Sequence, residues 1–418
     1  MSFEAGQYCI ADLMQKKFLE IGDGYRAKNE ELSLSGLPFA RAGNVNDGFR
    51  FDNADFFPEQ DLHKVGNKIS KVGDVVFTSK GTVGRFALVH ATTPQFVYSP
   101  QLCFWRSLRK DVLLPEYLYY WMNSAEFLRQ IDYLKGQTDM ADYVSLRDQR
   151  NITATIPAIN AQRAVVNVMM PIDARITLLR QTNDTLEAIA QALFKSWFVD
   201  FDPVRAKLEG NPPEGIDEVT AALFPDSFME STLGIIPSGW QVGRVEDLME
   251  LAYGKALKAS DRTAGSVPVY GSGGITGLHN QALVPTPSII IGRKGTVGTL
   301  YWENRPFLPI DTVFYVKTSK PLTYCFYQLA RLGLKDMNTD GAVPGLNRKN
   351  VYRLGIVLPP DRMLSAFDAI ASVLRRKIFS NNEQIIVLST LRDTLLPRLI
   401  SGQLNLTETE KILEKVAA

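Results

Sequence analysis

The pentapeptide Lys80-Gly81-Thr82-Val83-Gly84 returns unchanged as Lys294-Gly295-Thr296-Val297-Gly298, 214 positions later in a chain of 418 residues. A period near half the chain length is far too long for a solenoid and predicts two copies of one domain. The flanks repeat too. Asp12-Leu13 answers Asp247-Leu248, and Leu37-Pro38-Phe39 answers Val267-Pro268-Val269. Further on, Thr138-Asp139 answers Thr339-Asp340, Leu146 answers Leu346, and Ile156-Pro157 answers Leu358-Pro359. Each half reads as a β-rich globule followed by a long helix. A chain doubled in this way suits a two-fold target such as a duplex with two half-sites.

The two helical stretches share a register. Ile172, Ile176, Leu179, Asn183, Leu186, Ala190, Leu193 and Trp197 advance by alternating steps of four and three, a heptad seam. Adding 202 gives Leu374, Ile378, Asn381, Ile385, Leu388, Arg392, Leu395 and Leu399, with Ile189 and Leu391 widening the face. A lone amphipathic helix packs on its own domain. Two copies in one register, each closing half of a duplication, are instead expected to pair, and a two-fold relation makes the pair antiparallel. From Ile172 to Trp197 the rise is roughly 40 Å, close to one turn of B-DNA at about 34–36 Å. Each seam carries one asparagine, a residue that costs stability but fixes register. Pro171 is expected to kink the first helix near its start, and Pro397 to end or kink the second. Between the halves, residues 200–233 hold Pro203, Pro212, Pro213 and Pro225 and read as a linker with one short helix at Glu218–Leu223.

Composition admits two sizeable cores: hydrophobic residues make up 45% and charged residues 22%. No apolar run approaches a membrane span, and the first residues lack a secretory layout. Three scattered cysteines predict a reducing, cytoplasmic setting. The net charge of +1 argues against indiscriminate coating of DNA yet leaves room for local basic faces.

Catalytic motifs are missing. There is no Walker A loop, and Gly271-Ser272-Gly273-Gly274 lacks the Lys-Ser/Thr that one requires. Asn211-Pro212-Pro213 is followed by Glu214 rather than by an aromatic that could stack a flipped base. His63, His90 and His279 are isolated, no pair has metal-ligand spacing, and no Ser-His-Asp set can be assembled. A duplicated chain without any of these favours binding over catalysis.

Val75–Thr78 and Ser288–Ile291 read as strands entering the two pentapeptides, and Phe86–Val89 and Thr299–Trp302 as strands leaving them. The glycines predict a tight hairpin. Lys80 and Lys294, with Arg85 and Arg293 beside them, place cations where phosphates can be met. The aromatics Tyr117, Tyr119, Tyr120, Trp121, Tyr324, Phe326 and Tyr327 fall at helical spacing and read as core.

Three segments carry a family resemblance. Residues Asn183 to Asp202 (NDTLEAIAQALFKSWFVDFD) closely resemble the central conserved region of the specificity (S) subunits of type I restriction–modification systems, the HsdS family. Leu395-Leu396-Pro397-Arg398-Leu399-Ile400-Ser401-Gly402 resembles their C-terminal conserved region. Ile236-Pro237-Ser238-Gly239-Trp240 resembles the usual opening of a target recognition domain, which the first half lacks. The resemblance implies an α+β protein with two pseudo-symmetric α/β target recognition domains separated by two long helices that form an antiparallel coiled coil. The expected division is a first recognition domain at 1–157, the central conserved helix at 158–199, the linker at 200–233, a second recognition domain at 234–358, the C-terminal conserved helix at 359–404 and a tail at 405–418.

It also implies a non-catalytic reader of a split, asymmetric sequence in double-stranded DNA, with the helices as a ruler for the spacer. Two methyltransferase (M) subunits and motor–nuclease (R) subunits are the implied partners. S-adenosylmethionine, ATP and Mg²⁺ would belong to those partners and not to this chain. Loop-borne polar and basic side chains are the candidate DNA contacts: Arg41, Asn44, Lys80, Arg85 and Gln101 in the first domain, and Lys258, Arg293, Lys294, Asn347 and Arg348 in the second. Arg and Asn can grip guanine and adenine edges with two hydrogen bonds. Exposed Arg180, Gln191, Lys195 and Arg392 are candidates for partner docking. Two other readings are a duplicated protein-binding adaptor and a self-sufficient methyltransferase, the latter disfavoured by the missing cofactor loops.

Overall fold

In a computed structural model of the chain, residues 3–46, 48–135, 142–338 and 345–403 are described. The Thr138-Asp139 and Thr339-Asp340 echo and the tail at 405–418 lie outside them. The chain divides into two compact units, Met1–Thr177 with Ile386–Ala418, and Leu178–Ile385.

The first unit contains β1 (Gly6–Cys9), β2 (Leu19–Asp23), β3 (Leu37–Ala40), β4 (Asp55–Phe57), β5 (Asp74–Thr78), β6 (Phe86–Leu88), β7 (Val97–Tyr98), β8 (Leu102–Ser107) and β9 (Thr153–Ile156). A four-stranded antiparallel sheet runs β2-β8-β5-β6, and a three-stranded sheet runs β4-β3-β7 with β3 and β7 parallel. β1 pairs with β9 just before the first long helix. Every residue of β5 is buried, which is why its sequence reads as a continuous run instead of alternating. Helix Pro115–Met122 starts on a proline already set for helical φ. It buries Trp121 against Trp105 and Phe127, and Tyr117 and Tyr120 are core as well, while Tyr119 is half-buried.

The second unit contains β10 (Phe228–Ser231), β11 (Gly234–Pro237), β12 (Gln241–Arg244), β13 (Glu250–Tyr253), β14 (Val267–Gly271), β15 (Gly274–His279), β16 (Ser288–Gly292), β17 (Leu300–Glu303), β18 (Leu308–Pro309), β19 (Val313–Lys317) and β20 (Gly355–Leu358). Its sheets run β13-β19-β16-β17, β15-β14-β18 and β12-β20. Adding eleven to each strand number of the first unit reproduces this plan strand for strand, and the lone parallel pair recurs as β14 with β18. The duplication is therefore one of topology as well as sequence. The β10–β11 hairpin, which contains the Ile-Pro opening, has no counterpart among the described residues of the first unit.

The long helices are Ile159–Lys195 and Asp361–Ile400. Pro171 lies inside the first helix, which continues on both sides of it. Pro171 and Asn167, the residue whose carbonyl loses its partner, both sit on the exposed face, where water can satisfy that oxygen. Pro397 likewise does not stop the second helix, which runs on to Ile400; Asp393, four residues earlier, is exposed.

The helices pair antiparallel. In the second unit Asn183 meets Asn381 (2.8 Å) and Asn382 (2.9 Å), while Glu187, further along the first helix, meets Arg375 (3.0 Å), earlier in the second. In the first unit Asp173 meets Arg392 at 3.2 Å. Of the expected seam, Ile172, Ile176, Leu179, Ala190, Asn381, Leu395 and Leu399 are buried, and Leu186, Leu193, Leu374, Ile378, Ile385, Leu388 and Leu391 are half-buried. Two assignments need correcting. Ile189 is 49% exposed, and Phe194, outside the seam as read, is buried instead. Trp197 is buried, but in a π turn (Ser196–Asp200) beyond the α-helix, with its ring on Phe224 and Phe367.

Within residues 200–233 most of 208–222 is exposed, but the segment also contributes core residues. Phe201, Val204 and Phe224 belong to the core of the second unit together with Trp197 and Trp240. Helix Asp202–Leu208 carries Pro203 in its first turn, and helix Glu218–Ala222 is capped by Asp217. Lys207 ties the two by donating to the carbonyls of Ala221 (3.2 Å) and Phe224 (2.6 Å).

Candidate nucleic-acid interface

The pentapeptides form the β5–β6 and β16–β17 hairpin loops. Gly81 and Gly295 have φ of +82° and +81°, and Gly84 and Gly298 have +99° and +71°, values that side chains resist. The loops share their bonds. Val83 donates to Gly81 (3.0 Å) and Val297 to Gly295 (3.1 Å), while Gly84 closes on Thr78 (3.2 Å) and Gly298 on Gly292 (2.8 Å). A second segment pins each loop from outside: Val144 donates to Ser79 (2.9 Å), and Leu346 donates to Arg293 (2.8 Å). Leu346 thus corresponds to Val144, which corrects the pairing of Leu146 with Leu346. Lys80 and Lys294 occupy equivalent, exposed positions on these braced loops.

In the first unit Arg41, Asn44, Arg85 and Gln101 gather around Ala42. The carbonyl of Ala42 accepts from Arg85 (3.4 Å), and its N–H donates to Gln101 Oε1 (3.1 Å). Arg41 precedes it and pairs with Asp55 at 2.6 Å over the Phe39 ring. Arg41, Lys80 and Gln101 line one open hollow of about 390 Å³. Asn44 is engaged at both ends of its amide, accepting from the Arg41 N–H (2.8 Å) and donating to the Arg50 carbonyl (2.9 Å), so it shapes this turn.

In the second unit Arg293 and Arg348 converge on one ring. Their guanidinium carbons stand 5.5 and 4.8 Å from the centroid of Tyr253, whose side chain is half exposed. Arg293 donates through Nε and Nη2 to the Asp311 carbonyl, and Arg348 through Nη1 to the Leu251 carbonyl (3.2 Å). Lys294 adjoins Arg293. The side chain of Asn347 caps the helix Arg348–Tyr352 by accepting from Lys349 (2.9 Å). Lys258 is exposed at the start of the 3-10 turn Ala259–Asp261, and no side-chain contact joins it to the other four. Tyr253 carries no motif; it meets the two arginines only where the ends of β13 and β16 come together with a distant short helix.

Buried carboxylates brace both sheets from within. Asp74 accepts from Arg106 through both oxygens (2.6 and 2.7 Å), and also from Tyr98 (2.7 Å) and the Lys71 N–H (2.8 Å). Burial, with the neighbouring carboxylate, holds the Tyr98 hydroxyl well above its usual range. In the second unit Glu303 accepts from Tyr270 (3.0 Å) and Arg305 (3.1 Å). Desolvation alone would raise its pKa, but hydrogen bonds from Arg305 and Tyr270 outweigh it and the net shift is downward. Asp74, Tyr98, Arg106, Tyr270 and Glu303 are enclosed and structural, whereas Arg305 is exposed. Among the described residues no cluster of three or more His, Cys, Asp or Glu is placed to hold a metal ion, and no helix is long and apolar enough to cross a membrane.

A profile of the type I restriction modification DNA specificity domain matches residues 8–188 and 237–378. The chain is 24% identical over 467 aligned residues to the type I restriction enzyme HindI specificity subunit of Haemophilus influenzae, covering 93% of this chain and 99% of that one. It is also 24% identical, over 383 residues, to the MjaIX specificity subunit of Methanocaldococcus jannaschii, covering 84% and 82%. Its fold resembles the crystal structure of a type I restriction–modification S subunit from M. genitalium, with a TM-score of 0.60 and 16% identity over 95% and 96% of the two chains.

Proposed function

Because the chain belongs to the type I restriction modification DNA specificity family, we propose that it is the sequence-reading, non-catalytic subunit of a type I complex. Each unit contacts one half of a split, asymmetric target in double-stranded DNA. The observation that carries this reading is the duplicated hairpin, which presents Lys80 and Lys294 from the same place in two sheets of identical topology while the side chains around them differ. A shared loop meets what every sequence offers, the phosphates. Unlike neighbours meet what differs, the base edges.

The lysines neutralise phosphate charge and release counterions. The paired helices set the spacer between half-sites and offer their exposed faces to partners, two methyltransferase subunits and the motor–nuclease subunits. S-adenosylmethionine, ATP and Mg²⁺ serve those partners. The experiment is adenine-methylation mapping of DNA exposed to this chain assembled with its methyltransferase partner. A single bipartite motif is the expected result. Assembly with that partner but no split motif would leave the adaptor reading.

A further inference from the structure

Three positions surround the pentapeptide loop equivalently in the two units yet hold different chemistry. Strand register defines the first. Asp23 faces Cys103, which faces Phe77; Tyr253 faces Phe314, which faces Ile291. Phe77 and Ile291 both stand three residues before the pentapeptide lysine, so Asp23 and Tyr253 are equivalent. The residues immediately before the lysines, Ser79 and Arg293, are the second pair. Leu146 and Arg348 are the third, each two residues beyond the backbone bond that pins the loop, Val144 to Ser79 and Leu346 to Arg293. In the first unit Asp23, Ser79 and Leu146 all line a hollow of about 430 Å³. In the second unit Tyr253, Arg293 and Arg348 form a stack of one half-exposed ring flanked by two guanidiniums.

We propose that Tyr253, Arg293 and Arg348 are the base-reading element of the second unit, directed at guanine edges in the major groove, and that the equivalent hollow is where the first unit reads its own half-site. This rests on the DNA-reading function proposed above. Each guanidinium is fixed twice, by the ring and by a backbone carbonyl. A fork held in one plane loses little freedom on binding and offers its remaining N–H groups as a geometric pair, as guanine O6 and N7 require. Phosphate contact needs no such fixing, and Lys294, adjacent and exposed, supplies it.

The test uses the chain assembled with its methyltransferase partner and a panel of duplexes in which each base pair of the target is replaced in turn. Two variants are compared with the parent after melting curves show both folded: Arg348→Lys, and Y253D/R293S/R348L, which gives the second unit the first unit's trio. The expected result is a tenfold or larger loss of discrimination at one or two base pairs of one half-site, with the other half-site read as before. Equal weakening on every duplex, with discrimination kept, would overturn this proposal alone. A parent complex that recognises no split sequence would overturn the reading beneath it as well.

Discussion

Replacing Asn381 by leucine is expected to stabilise the second unit while loosening the register of its helices. Asn381 is fully buried, donates one hydrogen bond to Asn183 and leaves its own carbonyl oxygen without a partner. An unsatisfied buried acceptor costs about 1–3 kcal/mol, and the bond that is lost contributes about 0.5–1.5 kcal/mol net. A buried leucine adds about 1.5–3 kcal/mol, against about 1–3 kcal/mol if the extra volume strains the seam. Asn183 keeps its bond to Asn382 and is open enough for water to replace the other. The balance favours Asn381→Leu by about 1–2 kcal/mol, a rise of about 2–8 °C in Tm for a unit of about 200 residues. Calorimetry reads the stability, and methylation mapping of the assembled complex reads the register, as a spread of accepted spacer lengths. A fall in Tm with spacer length still sharply defined would refute the idea that this asparagine trades stability for register.

Lys80→Gln and Lys294→Gln are each expected to weaken binding on all sequences alike and to lower the slope of log affinity against log salt by about 1, measured by titration at several salt concentrations; a sequence-selective loss would count against phosphate contact. Glu303 has a depressed folded-state pKa, so its contribution is complete above the unfolded value of about 4.3 and disappears as pH falls through the folded one. Acid titration of melting should therefore show Glu303→Gln converging with the parent below that window and diverging above it. Matching heptads inserted after Leu186 and at the facing turn of the second helix should lengthen the unspecified spacer and leave both half-sites unchanged; methylation mapping that returns the parental spacer would end the ruler idea.

Much of this architecture was legible because its signals are local. The pentapeptide fixes a hairpin through glycines at set spacing between Val- and Ile-rich strands, and the heptads of Ile172–Leu193 and Leu374–Leu399 announce two helices that bury one face. What sequence hid depends on which segments meet. Pro203, Pro212, Pro213 and Pro225 mark a linker, and Phe201, Val204 and Phe224 within it still pack as core, because a chain broken by prolines can lay its apolar residues on a surface. Pro171 lies on the wet face of a long helix, where it forfeits one bond that water restores. In the sequence Arg293 and Arg348 each show only their charge. That they share Tyr253 follows from the meeting of three segments separated by tens of residues, and no local pattern encodes it. Asn44 had the right chemistry for adenine and spends it on its own turn.

Each long helix is divided between the two units, which bears on how the polypeptide is made. The first unit includes residues 386–400 of the second helix, where Arg392 reaches Asp173 and where Leu395 and Leu399 are buried. A ribosome adding about 5–20 residues per second delivers that stretch roughly 10–40 s after Thr177 has emerged. Through that interval the amino-terminal globule is a nascent intermediate, with the greasy stripe of Ile172 and Ile176 lacking its final cover. Shielding by a chaperone would matter most in that interval, and premature termination before residue 386 would spoil both globules at once.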